Sequence, residues 1–165
     1  MKQEDLEIVF MEAFDAYSDA IYRFCVVKVS DTERAEDMTQ EVFMRFWRSL
    51  QEGKDITNPR AFLYTIASNL AKDWYKRKKS ESLDTHLDNG FAPASKELSS
   101  ETLSQYSEAL EAMSDLEERD REVLYLRFVE GLEPKNIAEV LGETANSVSV
   151  RLNRAMGKLR AKMNV

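Results

Sequence analysis

The sequence holds one cysteine, Cys25, and one histidine, His86. A lone thiol cannot close an intramolecular disulfide and leaves no cysteine cluster for a metal. His86 lies in a serine-rich stretch with no acidic or nucleophilic partner in a folded element, so neither a catalytic nor a metal-ligating histidine is expected. Glycine (5 residues) and proline (3 residues) are scarce, and no phosphate-cradling glycine loop, nucleophile elbow or zinc-protease pattern occurs. No cofactor is expected, and no enzyme. The apolar runs are far too short to span a bilayer, and Met1-Lys2-Gln3-Glu4-Asp5 lacks the basic and apolar regions of a secretory signal. These features point to a cytoplasmic protein without direct membrane insertion.

What is present favours helix. Hydrophobic residues make up 43% of 165, enough for a core, and Leu, Glu, Ala, Lys, Arg and Met are abundant while no alternating run reads as a strand. The expected fold is all-α. Net charge is −7, which by itself argues against nucleic acid, but the bases are clustered. Lys72, Lys76, Arg77, Lys78 and Lys79 face only Asp73 between positions 72 and 79. Arg151, Arg154, Lys158, Arg160 and Lys162 meet no acid between Thr144 and Val165.

Periodicity divides the chain into two helical modules, 1–79 and 105–165. Phe10, Phe14, Tyr17, Ile21 and Phe24 recur every three or four residues and predict one buried helix face. A second helix starts near Ser30-Asp31-Thr32, with N-cap chemistry and acids in its first turn, and buries Met38, Val42 and Phe46. Asn58-Pro59 opens a third, carrying Phe62, Leu63, Ile66, Ala67, Leu70 and Trp74 into the basic run. Residues 80–104 lose the pattern, with Asn89-Gly90, Pro93 and five acids against one base. They read as a flexible acidic linker able to reach roughly 80–90 Å if extended. Beyond it come a helix through Tyr106, Leu110, Met113 and Leu116, and another over about 118–130 burying Val123, Leu124 and Phe128. A short helix from Pro134 to Leu141 stops at Gly142, and a basic helix follows Thr144. A short helix, a turn and a longer basic helix outline a helix-turn-helix.

Three places carry candidate function. On the last helix, Val148, Leu152, Ala155 and Leu159 form an apolar face, and Ser149, Arg151, Asn153, Arg154 and Lys158 are candidates to meet DNA; a helical hairpin ending in a solvated basic helix would look similar. On the second helix, Phe43 and Trp47 lie off the core line beside Asp37, Gln40 and Glu41. That pattern suits either a docking site with aromatic anchors or a central helix with aromatics buried on two sides. On the third, Tyr64, Asn69, Lys72, Trp74, Tyr75, Lys76 and Arg77 mix aromatic faces with bases. They suit either single-stranded nucleic acid or a core helix with a solvated basic end.

From about Phe10 to Lys162 the chain resembles bacterial RNA polymerase sigma factors of the extracytoplasmic-function (ECF) type. Asp37, Gln40 and Glu41 match that family's Asp-x-x-Gln-Glu pattern for core-polymerase binding. Residues 58–69 are similar to its promoter-melting segment, which implies that Asn69 helps read a flipped minus-ten base beside the 51–58 loop. Leu116 to Val123, Ile137 to Gly142 and Val148 to Ala155 match its minus-thirty-five-binding module. The resemblance implies core RNA polymerase and promoter DNA as partners, and an anti-sigma factor as a further one. Glu117 departs from the family's usual Pro, and Ser149, Val150 and Asn153 replace residues that are usually basic, small polar, and aromatic or His. No particular minus-thirty-five sequence is therefore implied. Without the resemblance, an autonomous helix-turn-helix regulator or a helical adaptor would also fit.

Overall fold

Asp31 shows how local chemistry sets the first element boundary. Its carboxylate accepts the Arg34 backbone N–H at 3.2 Å and caps α2 (Thr32–Gln51), closing off one of the N–H groups a helix start leaves unpaired. Just before it, Ser30 adopts a left-handed conformation that ends α1 (Gln3–Val29). Asn58 does the same service for α3 (Pro59–Glu81), accepting from Ala61 N–H at 3.1 Å. The computed structural model describes residues 1–81 and 111–163. The chain divides into two compact units, 1–90 and 91–165, so the boundary lies outside the described residues. The expected linker beyond Glu81 and the helix through Tyr106 and Leu110 lie outside them too, as does His86.

In the first unit α1 packs on both α2 and α3, which also pack on each other. Ile21, Phe24, Phe46, Leu63 and Tyr64 are fully buried at its centre, and Phe24 meets Tyr64 edge-on at 5.4 Å. Cys25 is buried beside them, and loss of water pushes its thiol up to about 12, the behaviour of a small hydrophobe rather than a nucleophile. Two sequence expectations need correction. Phe14, assigned to the buried face of α1, is 40% exposed, because the helix outruns the core and only α2 meets this end through Phe10 and Phe14. The segment read as linker from residue 80 starts later, because α3 continues through the basic run to Glu81.

The described part of the second unit begins with helical residues 111–113 and the turn that closes them, so Leu116, expected on this helix, lies beyond its end. Then come α4 (Glu118–Leu124), a π-helical turn (Tyr125–Val129), α5 (Pro134–Leu141) and α6 (Ala145–Met163). No strand occurs among the described residues. The π turn revises the helix expected over 118–130. Glu130 N–H donates to the Tyr125 carbonyl at 3.1 Å, five residues back, so the wider turn slips the register by about one residue. Tyr125, Leu126 and Glu130 become the inward positions, and Phe128, expected in the core, is 59% exposed. Gly142 (φ 67°) ends α5 as expected, since a residue without a Cβ takes the left-handed conformation at little cost. Thr144 then caps α6, its hydroxyl oxygen accepting Ser147 N–H at 3.1 Å.

Candidate functional site

On α2 the core stripe of Ala35, Met38, Val42 and Phe46 leaves Asp37, Gln40 and Glu41 on the outer side. Asp37 and Gln40 are exposed; Glu41 is half-buried and accepts from Arg45 Nε at 2.8 Å. The aromatics beside them are not free anchors. Phe43 is 4% exposed and meets the rings of Phe10 at 6.1 Å and Phe14 at 5.0 Å. Trp47 is half-buried and lies edge-on to Phe10 at 5.5 Å. The surplus aromatics of α2 thus serve mainly to fasten the free end of α1.

What they leave open is an apolar groove of about 630 Å³ between α1 and α2. It is lined by Glu7, Phe10, Met11, Phe14, Gln40, Phe43, Met44 and Trp47. Met11 and Met44, which sequence reasoning passed over, are both well exposed. The signal was available in Met44, an apolar residue one turn beyond Gln40 and off the core stripe.

On α3 the aromatic rings turn inward while the polar side chains face solvent. Tyr64 is fully buried and Trp74 nearly so, with Lys78 over the Trp74 ring at 4.6 Å. Tyr75 is half-buried, and its hydroxyl donates to the Lys28 carbonyl. These rings hold α3 in the bundle and offer no stacking faces. Asn69, Lys72, Lys76 and Arg77 are all exposed, and spacings of three and four place the first three on one face of the helix, with Arg77 to its side.

Helix α6 buries Val148, Leu152 and Ala155 and exposes Asn146, Val150, Asn153 and Arg154, with Ser149 half-buried at the margin. Asn146 was not among the expected contacts, although it falls on the turn opposite Val148. Two of the expected cations are already engaged inside the unit. Lys158 Nζ lies 2.9 Å from the buried Asp120 carboxylate on α4. Arg151 Nη1 donates to both oxygens of Glu143, at 2.6 and 2.8 Å. Among the described residues no group of three or more His, Cys, Asp or Glu is placed to hold a metal, and no helix is long and apolar enough to cross a membrane.

Sigma-70 region 2 matches residues 13–81, and Sigma-70 region 4 matches residues 106–159. ECF RNA polymerase sigma factor BldN of Streptomyces coelicolor is 30% identical over 91% of this chain, which spans 58% of BldN's length. ECF RNA polymerase sigma factor SigW of Bacillus subtilis is 26% identical, with 93% of this chain and 88% of SigW covered. The chain belongs to the ECF-type RNA polymerase sigma factors. Its fold is that of the sigma factor RpoE of Bartonella quintana, solved in complex with the anti-sigma factor NepR. The TM-score is 0.70 at 20% identity, with 94% of this chain and 97% of RpoE covered. In this ECF sigma factor the region 2 match takes in the polar faces of both α2 and α3. The region 4 match takes in α4, α5 and α6 as far as residue 159. Of the four α1 residues that line the groove, Glu7, Phe10 and Met11 precede the region 2 match and Phe14 falls within it.

Proposed function

We propose that this protein binds core RNA polymerase and directs it to specific promoters, opening the duplex at the minus-ten element while the polymerase, and not this chain, catalyses RNA synthesis. The observation that carries the proposal is on α2, where exposed Gln40 lines an open apolar groove, with exposed Asp37 one turn before it and half-buried Glu41 next to it in sequence. A polar rim that fixes orientation beside an apolar seat that supplies affinity is the anatomy of a protein interface. Phe43 and Trp47 act in it chiefly by building the seat. Gln40→Ala is expected to weaken binding to core polymerase by about 1–3 kcal/mol with unchanged helicity. Equilibrium titration of labelled protein with core enzyme measures this, and an unaltered affinity would remove α2 from the interface.

The exposed face of α3 fits the unpaired strand. Asn69 offers an amide to a base edge, while Lys72 and Lys76 on the same face, and Arg77 to its side, suit phosphates. Asn69→Ala is expected to slow open-complex formation about tenfold, most at one promoter position, as the loss of one or two hydrogen bonds to a flipped base implies. A pre-melted template restores the rate. Equal discrimination by wild type and variant at every minus-ten position would contradict the role. On α6, Ser149 and Asn153 suit base edges in the minus-thirty-five element and exposed Arg154 suits a phosphate. Lys158 contributes by holding α6 to α4 through Asp120. RpoE, which shares the fold, was solved with an anti-sigma factor, and a regulator of that kind is proposed as a further partner here. The site of action is the cytoplasm, where core polymerase and promoter DNA meet.

A further inference from the structure

Glu143 stands in the turn between the two helices of the helix-turn-helix, and its backbone is fixed. Its N–H donates to the Ala138 carbonyl at 2.9 Å, directly after the left-handed Gly142. Its carboxylate lies against α6. Both oxygens accept from Arg151 Nη1, and Ser147 Oγ approaches Oε2 at 3.4 Å. Ser147 and Arg151 are one turn apart, so the carboxylate runs along the margin between the buried stripe and the outward face of α6. The pair is only 20% and 24% exposed at its side chains, so it is better shielded from water and salt than a surface ion pair. A guanidinium has five N–H donors. The two on Nη1 serve Glu143, and the three on Nε and Nη2 have no partner among the described residues.

We infer that Glu143 is a positioning residue for the upstream reading helix: it holds Arg151 at the edge of the DNA-facing surface and cancels its charge. Arg151 then acts as an oriented hydrogen-bond donor and not as a mobile cation. This rests on the proposal that α6 reads promoter DNA, and it changes the role expected of Arg151. A free arginine would add sequence-independent phosphate affinity, whereas a clamped one adds directional contacts, such as those a guanidinium makes to guanine. It also accounts for an acid placed immediately before a stretch of five cations.

The test compares reconstituted wild-type, Glu143→Gln and Glu143→Gln/Arg151→Ala holoenzymes. Their affinity for a preferred and a scrambled upstream element is measured over a salt series. Releasing Arg151 in Glu143→Gln should steepen the slope of log affinity against log salt by about one. It should also raise affinity for the scrambled element and reduce discrimination by about tenfold. The double variant should return the slope to the wild-type value, which ties the effect to Arg151. A merely structural pair would shift the melting temperature and leave the salt slope alone. Glu143→Ala, which keeps the Thr144 cap, provides a second variant should Glu143→Gln fold poorly. An unchanged slope and unchanged discrimination in the folded single variants overturn the inference. A wild-type holoenzyme indifferent to upstream sequence would instead overturn the promoter-reading proposal beneath it.

Discussion

Truncating Phe43 to alanine is expected to destabilise the N-terminal unit by about 3–5 kcal/mol, the range for removing a buried phenylalanine. The ring is almost wholly buried and contacts Phe10 and Phe14 edge-on, so its loss also removes aromatic pairs worth about 0.5–1.5 kcal/mol each beyond burial. Relief by collapse is limited, because Phe14 already lies partly in solvent and the space would open into the adjoining groove. Both tryptophans, Trp47 and Trp74, belong to this unit, so urea unfolding of the full chain followed by tryptophan emission reads this unit selectively. A loss below about 1 kcal/mol would mean that the aromatic cluster does not fasten α1 to α2. Met44→Ala is the natural contrast: it is 55% exposed on the same helix, and exposed substitutions usually fall within about 0.5 kcal/mol.

Arg121→Ala is expected to cost the C-terminal unit a similar amount by a different route. Arg121 is 2% exposed, and its Nη1 donates to the carbonyls of Ser114 at 3.1 Å and Leu116 at 2.8 Å. It therefore joins the turn before α4 to α4 itself. Stranding the carbonyl of buried Leu116 costs about 1–3 kcal/mol, loss of the part-buried bond to Ser114 adds less, and the vacated volume adds to both. The sum is about 3–5 kcal/mol. A unit this small has little stability in reserve, so helical circular dichroism should show early melting of the second unit while the tryptophan transition stays in place. Arg121→Met keeps most of the volume, removes the donors and also removes the cost of burying a charge, so it should fall between wild type and alanine. Thermal unfolding of Arg121→Ala indistinguishable from wild type would contradict this.

Most element boundaries were legible because they are written in short-range chemistry. Asp31, Asn58-Pro59, Gly142 and Thr144 each act on backbone groups within four residues, and each does what its side chain suggests. The helix-turn-helix outline followed from them. The faces were harder. Heptad-like spacing identifies a stripe but not how much of it a neighbour covers, so Phe14 read as core although α1 outruns its partners. Phe128 misled for another reason: a π turn has no marked sequence signature, and it shifts every inward position after Leu124. On α3, composition alone could not separate an aromatic that faces a base from one that faces the bundle. Tyr64, Trp74 and Tyr75 proved to face the bundle. The pairing of Arg151 with Glu143 spans eight residues and a reversal of chain direction, and charge counts made that arginine look free.

Selection from a randomised promoter library by the reconstituted holoenzyme shows whether this chain gives core polymerase its promoter preference. The expected result is a bipartite motif: a minus-ten element opened in the presence of the protein and an upstream element at fixed spacing, both absent with core enzyme alone. Initiation that stays unselective with this chain added, or tight sequence-specific duplex binding that needs no polymerase, would contradict it.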